Sequence, residues 1–408
     1  MKQIQGTITA PKGFRATGAA IGIKKNGTKD LCLFASDVPA EVAGVFTTNV
    51  VKAAPVLWDM EVTAGGAPVR GVVINSGNAN AGTGKQGVAD AQAMAAAFAD
   101  VLGAKASEVL VCSTGVIGVP LPIDLIAKGI AATAPSLGGT EADGTLASEA
   151  IMTTDTFAKT ITVEFELAGV PVRIGGMAKG SGMIHPNMAT MLGFLTTDCS
   201  ISKALLEKAL REIADDTFNM VSVDGDTSTN DTLLILANGA AGNPCIESEN
   251  GDYEIFKAAL MEVNKKLAMD LARDGEGATR VMEVTVTGAK TKQDARLLAK
   301  SIIASSLVKA ALFGADANMG RALCAMGYSG AQFDPDGTTI EVRDETGRKF
   351  SWMNEGVPIP FDEDLAKSIL SNKVVFIDIM LCEGQESATA WGCDLTYDYV
   401  KINGDYRS

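Results

Sequence analysis

Histidine occurs once in the 408 residues, at His185, and that scarcity removes whole classes of chemistry. Two or three imidazoles cannot be gathered on one zinc ion within a single chain. A Ser–His–Asp or Cys–His arrangement has only one candidate base, standing directly before Pro186. An enzyme with this sequence therefore draws its base from a carboxylate, a lysine or an α-amino group. Basic residues are also in short supply, 35 against 49 acidic ones, for a net charge of −14. So acidic a chain repels phosphate backbones and anionic lipid, and neither nucleic acid nor membrane is expected as a partner. No stretch approaches the roughly 18 uninterrupted apolar residues of a membrane span. The start of the chain is lysine-flanked and broken by Gly and Pro, so no signal peptide is expected. The seven cysteines are odd in number and never spaced C-x-x-C. They read as reduced, mostly buried thiols of a cytoplasmic protein.

Apolar residues make up 47% of the chain and aromatics only 5%, so the core is built from Ala, Val, Ile, Leu and Met. Length predicts two or three packing units, yet no linker or low-complexity stretch marks a boundary. Strands are predicted at Ala19–Ile23, Leu31–Phe34, Val42–Phe46, Val69–Ile74 and Val109–Cys112, with helices over Val88–Leu102 and Leu121–Ala132. Thr160–Leu167 and Val170–Gly175 alternate like a hairpin, and Met191–Leu195 reads as a strand. Further on, helices are expected at Lys203–Ile213, Ile255–Ala272 and Asp294–Leu312, with strands at Val221–Val223, Leu233–Ala237, Val281–Val286 and Val374–Met380. Strands and helices mix without strict βαβ alternation, which predicts a layered α/β fold with largely antiparallel sheets.

Two motifs resemble ligand loops and lack what those loops need. Gly82-Thr-Gly84-Lys-Gln-Gly87 is a literal G-x-G-x-x-G before a helix. The preceding strand is predicted to end near Asn75, too early for a tight phosphate turn, and no ribose-binding acid follows. Asp224-Gly-Asp226-Thr-Ser228-Thr-Asn230-Asp231 spaces oxygen ligands as a calcium loop does. Thr229 stands where that loop needs glycine and Ile235 where it needs a bidentate glutamate, so a polar turn is expected.

The segment Lys179-Gly-Ser-Gly182-Met-Ile-His-Pro-Asn187-Met-Ala189-Thr190-Met-Leu192 carries more information. A threonine hydroxyl is a weak nucleophile without a base. One histidine-free solution cuts the chain just before the threonine, so that its own α-amine, with a pKa of about 7.7–8.0, moves the proton. The bare pattern favours a threonine simply buried at the start of a strand.

This segment closely resembles the self-cleaving junction of the ornithine acetyltransferase (glutamate N-acetyltransferase) family of arginine biosynthesis. The likeness extends to Ala43–Asn49 with Ala53–Val56, to Asn75–Asn80, Ser113–Gly118 and Met152–Thr156, and to Ser222–Asp231, Asp274–Arg280, Ala388–Leu395 and the tail Val400–Ser408. It covers essentially the whole chain, in order. The resemblance implies self-cleavage between Ala189 and Thr190 into an α chain (1–189) and a β chain (190–408), the latter with a C-terminal subdomain from about 281–408. The two are expected to remain together as an α2β2 assembly. It implies stacked αββα layers like those of N-terminal nucleophile hydrolases, reached by convergence.

The implied chemistry is ping-pong transfer of acetyl from N2-acetyl-ornithine to L-glutamate through an acetyl-Thr190 intermediate, with no metal and no cofactor. Thr114 and Gly115 match the family's oxyanion pair. Thr156, Lys179, Glu276, Asn403 and Ser408 match its substrate contacts, Lys179 typed for a carboxylate and Glu276 for an ammonium. The residues do not separate a form that also takes acetyl from acetyl-CoA. An amidase or aminopeptidase using water on the same fold is the alternative. The chain departs from the family at Ala317 and Met319, where proline and tryptophan are usual, and at Gly404, where alanine is common. His185 falls at a variable position and is read as structural.

Overall fold

The computed structural model describes residues 1–185 and 191–405. In chain order, the strands of the first part are β1 (Lys2–Ile4), β2 (Phe14–Ala19), β3 (Leu31–Phe46), β4 (Val69–Asn78), β5 (Val109–Val116), β6 (Lys159–Leu167), β7 (Val170–Lys179) and β8 (Leu192–Thr197). They continue as β9 (Val221–Ser222), β10 (Thr232–Ala237), β11 (Val281–Ala289), β12 (Thr339–Arg343), β13 (Lys349–Asn354), β14 (Val357–Pro358), β15 (Val374–Met380) and β16 (Glu386–Cys393). The helices are α1 (Ala54–Ala64), α2 (Gly84–Leu102), α3 (Ile123–Thr133), α4 (Glu141–Ala150), α5 (Lys203–Asp216) and α6 (Gly251–Arg273). After them come α7 (Lys292–Ala304), α8 (Ser306–Gly314), α9 (Gly320–Gly327), α10 (Glu363–Leu370) and α11 (Tyr397–Gly404).

The chain divides into two compact units, and neither is continuous in sequence. The first holds Met1–Gly180, Pro186–Phe218 and Thr227–Leu267; the second holds Ser181–His185, Asn219–Asp226 and Ala268–Ser408. No linker composition marks these crossings. One falls inside α6, whose last residues belong to the second unit.

In the first unit the strands run β1-β6-β7-β8-β10-β3-β4-β5, with β2 added on β3. Among the described residues only β8–β10 and β4–β5 pair in parallel. The long β3 carries a register shift between Ala35 and Ala40: its start pairs with β2 and β4, its end with β10. The two halves of the sheet face each other. Cys32, Phe34, Val72, Ile74, Leu110 and Cys112 from one half share a buried core with Met177, Leu192, Phe194, Leu234 and Leu236 from the other. Phe34 and Phe194 meet edge to face with centroids 5.7 Å apart. Side chains alternate along a strand, so Leu31, Leu33, Val73, Val109 and Val111 point the other way, onto Met94, Phe98 and Ala99 of α2 and Ile126 and Ile130 of α3. On the far side, Leu195 and the α6 residues Val263 and Leu267 close around Gly176 of β7. This is the αββα stack that the family resemblance implied, and it rests on two-faced apolar strands that must be covered on both sides.

The second unit is built on the sheet β14-β13-β12-β15-β11-β16-β9, again largely antiparallel, with β11–β15 and β16–β9 parallel.

Three local expectations are corrected. Of the segment Ala19–Ile23 only Ala19 is in a strand, ending β2; the chain then bends away, the buried Asp30 carboxylate collecting the N–H groups of Ile21, Gly22 and Lys24 at 2.7, 3.1 and 2.9 Å. Leu31–Phe34 and Val42–Phe46 belong to one strand, β3. Asp294–Leu312 is two helices, α7 and α8, bent by 56°. Ser305 breaks it, its hydroxyl accepting the Val308 N–H and capping α8. Among the cysteines, Cys32, Cys112, Cys199 and Cys393 are buried, whereas Cys245, Cys324 and Cys382 are exposed; all are free thiols. Met319 is buried at the start of α9, so it fills the packing position at its departure from the family pattern. Among the described residues no single helix is long and apolar enough to cross a membrane.

Candidate functional site

Thr114 and Gly115 lie at the end of β5, and Lys179 closes β7. Within the first unit the Lys179 ammonium donates to Thr114 Oγ1 at 3.2 Å, and both side chains are buried. An ammonium has no lone pair to offer. Thr114 is therefore the acceptor and keeps its own hydroxyl proton for a further partner.

Gly115 sits at φ +133° opposite Gly77 of the neighbouring strand. A Cβ there would lie 2.3 Å from the Gly77 carbonyl carbon and 2.5 Å from the Asn78 nitrogen. Only glycine allows the strands to approach so closely at that angle.

β5 ends the sheet, and its free edge is covered by side chains of α1. Trp58 Nε1 donates to the Val109 carbonyl at 2.9 Å, and the Asp59 carboxylate accepts the Val111 N–H at 2.7 Å. Burial pushes the Asp59 carboxyl well above its ordinary range, against the weaker pull of Val111 and Cys112. The segment leading into β10 holds the same strand from its other end. Asn230 donates to the carbonyls of Ala79 at 2.6 Å and Ser113 at 2.9 Å.

Asp155 gathers the next group. Its Oδ1 accepts from Lys159 and from the Gly180 N–H, each at 2.7 Å, and its Oδ2 accepts the Thr153 N–H at 2.9 Å. Burial would raise this carboxyl, but Lys179, Lys159 and the Gly180 N–H outweigh it and hold the group at about 2. Thr156, beside it, is exposed. Lys24 donates to the carbonyls of Lys29 and Met152 at 2.7 and 2.6 Å. Burial lowers its amine to about 8, with Asp30 pulling upward and Lys179 downward.

Within the second unit, Glu276 accepts from Asn403 Nδ2 at 2.7 Å. Its N–H bonds the Ser181 carbonyl at 2.9 Å, and the Ser181 hydroxyl bonds the Asp274 carbonyl at 2.6 Å. A Cβ on Gly182 would meet the Glu276 carboxyl carbon at 2.3 Å, so glycine there lets the backbone lie against that acid. Thr396 caps α11, which carries Asn403, and also donates to the Gly277 carbonyl at 2.7 Å. Burial, then Asp224 and Glu276, push the Tyr399 phenol upward.

The structure thus pairs Thr114 with Lys179 in one unit and Glu276 with Asn403 in the other. Ala189, Thr190 and Ser408 lie outside the described residues.

The ArgJ family pattern matches residues 15–408. The chain belongs to the ArgJ family. The arginine biosynthesis bifunctional protein ArgJ of Symbiobacterium thermophilum is 54% identical to it over 410 residues, covering all of both chains. That of Caldanaerobacter subterraneus subsp. tengcongensis is 52% identical over 408 residues, again covering all of both. Among solved structures, the arginine biosynthesis bifunctional protein argJ of Bacillus halodurans is 44% identical, with a TM-score of 0.49 over 53% of this chain and 99% of that one.

In this ArgJ-family chain the two ligand-like loops are tied up internally. Asn80 bonds the Gly87 carbonyl at 2.9 Å and accepts from Thr83 at 2.8 Å, binding the Gly82–Gly87 loop to its own helix. Asp224 accepts the N–H groups of Met183, Ile184 and Asp226. His185 is half-buried with Nδ1 3.0 Å from the Ser222 hydroxyl, and burial followed by Lys300 lowers it to about 4. It is a neutral packing group near pH 7. Sequence reasoning passed over Asp155, Asp59, Lys24 and Asp231. Asp155 and Asp231 did fall in the segments Met152–Thr156 and Ser222–Asp231 singled out by resemblance, without a role of their own, and Asp155 also has i, i+4 spacing to Lys159.

Proposed function

We propose that this chain moves an acetyl group from N2-acetyl-ornithine to L-glutamate by a ping-pong route through an ester on Thr190, after cutting itself between Ala189 and Thr190. The observation that carries the reading is the buried Lys179–Thr114 pair beside Gly115, in a chain of the ArgJ family. Thr190 Oγ attacks the acetyl carbonyl, and its α-amine takes the proton. The oxyanion that forms is met by the Thr114 hydroxyl proton and the Gly115 N–H, each such donor contributing about 2.7–4 kcal/mol. The Lys179 charge strengthens Thr114 as a donor. The α-amine returns the proton to the departing ornithine amine, glutamate attacks the ester, and N-acetylglutamate leaves.

Glu276, oriented by Asn403, suits the ornithine ammonium. Lys179 and Thr156 suit a substrate carboxylate, and Ser408 completes the set. The route calls for no metal and no cofactor. Because the relatives at 52 and 54% identity are named bifunctional, we extend the reading to acetyl-CoA as a second acetyl donor. An α2β2 assembly of the two cleaved chains, working in the cytoplasm, completes the proposal. The hydrolase alternative is not favoured.

Two measurements test it. Denatured wild-type protein should give two masses meeting between Ala189 and Thr190, and Thr190→Ala a single uncut mass. Glutamate acetylation should proceed with either donor. Release of acetate from N2-acetyl-ornithine without glutamate, at the rate seen with it, would overturn the transferase reading.

A further inference from the structure

β4 and β5 pair in step from Gly71 opposite Val109 to Gly77 opposite Gly115. There the register slips, and Asn78 faces both Thr114 and Val116. A slip of this kind leaves backbone groups that the strand ladder does not hold, and here it falls on Thr114 and Gly115. Asparagine side chains hold them instead. Within the two strands, Asn75 donates to the Asn78 carbonyl at 2.9 Å and accepts the Ser113 hydroxyl at 2.6 Å. Asn230 reaches in from 117 positions beyond Ser113. Its Nδ2 donates to the carbonyls of Ala79 at 2.6 Å and Ser113 at 2.9 Å, while its Oδ1 accepts the Thr229 hydroxyl at 2.6 Å. The Ala79 N–H bonds the Val116 carbonyl at 3.0 Å, so this one amide grips the slip on both sides of Gly115. A peptide unit is planar, so a fixed Ser113 carbonyl also fixes the Thr114 nitrogen and α-carbon. Lys179 holds the same residue at its hydroxyl. The segment that carries Asn230 is itself anchored. The Asp231 carbonyl takes the Thr47 N–H at 3.0 Å, and the Asp231 carboxyl, raised by burial, bonds the Met191 N–H. Asn230 is 7% exposed, and an amide supplies two donors and an acceptor without bringing in a charge.

We infer that Asn230 is a positioning residue for acetyl transfer, holding the Ser113–Thr114 peptide so that the Thr114 hydroxyl and the Gly115 N–H converge on the oxyanion. The inference rests on the oxyanion role given to Thr114 and Gly115 above. Asn230 acts through those two residues and not on the substrate. Donors fixed in advance stabilise the charge of the transition state without reorganising when it forms. A displacement of about 1 Å in such a group can cost about 100-fold in rate. Lys179 on the Thr114 hydroxyl leaves the backbone on either side of Gly115 free to turn, and the Asn230 amide removes that freedom.

The test uses the full chain, with intact mass for the extent of cleavage and cooperative melting for folding. Transfer from N2-acetyl-ornithine to glutamate is counted per folded, cut chain. Asn230→Ala and Asn230→Ser, alone and combined with Thr114→Val, are compared with wild type. Each single variant should lose about 100-fold in kcat with KM within about twofold, because only transition-state stabilisation is lost. In the Thr114→Val background the further loss should shrink to about tenfold or less, since one of the donors that Asn230 positions is already gone. An equal fold-loss in the two backgrounds overturns the inference, as does a kcat within about threefold of wild type in either single variant. So does failure of both to fold, or folding of both without cleavage, which would give Asn230 a part in packing or maturation instead. Wild-type protein that transfers no acetyl would overturn the Thr190 reading itself, and this inference with it.

Discussion

Asp155 holds Lys159 at 2.7 Å with both side chains wholly buried, and the same carboxylate oxygen takes the Gly180 N–H, next to Lys179. One carboxylate thus neutralises a buried ammonium and fixes the end of β7. Asp155→Asn removes the carboxylate from a buried ion pair, and breaking such a pair costs about 3–5 kcal/mol. Urea unfolding of the variant should show it; a change under about 1 kcal/mol would sink the claim.

The same pair sets an acid limb of stability. The Asp155 carboxyl moves from its ordinary 3.8 to about 2 on folding. A lowered acid contributes fully above the unfolded value and loses its contribution as pH falls toward the folded one. Between about pH 4 and 2 the wild-type unfolding midpoint should therefore fall more steeply than that of Asp155→Asn. Parallel curves for the two proteins would contradict this.

Thr114 accepts from Lys179 and has a proton to give. Thr114→Val removes the donor at nearly constant volume, and kcat should fall by about 100- to 1,000-fold. Thr114→Ser keeps the hydroxyl and should retain most of the activity. Equal losses in the two would show that the methyl group, and not the hydroxyl, matters.

Gly115→Ala places a methyl group 2.3 Å from the Gly77 carbonyl carbon at φ +133°. Backbone strain of this kind costs about 1–3 kcal/mol, and the β4–β5 pairing has to open to relieve it. A lower melting temperature together with a kcat loss is expected. An alanine variant with wild-type kcat and melting temperature would show that the turn tolerates a side chain.

His185 is lowered to about 4 and bonds Ser222. His185→Gln should leave kcat within about twofold and the pH–rate profile unchanged, because a neutral amide can make the same bond. The unfolded chain binds a proton between about pH 4 and 6.5 that the folded chain refuses, so this residue makes stability rise with pH over that window. Loss of a pH–rate limb in the variant would place His185 in the chemistry after all.

Thr114, Lys179, Glu276 and Asn403 were singled out only by the resemblance of their motifs to those of the ornithine acetyltransferase family, whereas the strand–helix succession and the antiparallel bias were legible in the residues, through alternation and helical period. The bends were not: Ser305 divides α7 from α8, and Asp30 turns the chain after β2, by side-chain hydrogen bonds that hydropathy does not record. Asp59 and Asp231 were missed for a related reason. Their raised carboxyls follow from burial, and burial is a property of what packs around them.

The sequence by itself determined the chemistry available. One histidine, an acidic surface and a threonine after Ala189 narrow the choice of base before any fold is drawn. Only the tertiary structure decided which groups act on one another. It set Lys179 on Thr114, Asn403 on Glu276 and Met191 beside Asp231, partners from 40 to 127 positions apart. Such pairs are made by strand register and by the capped helix that carries Asn403, and no local spacing encodes them.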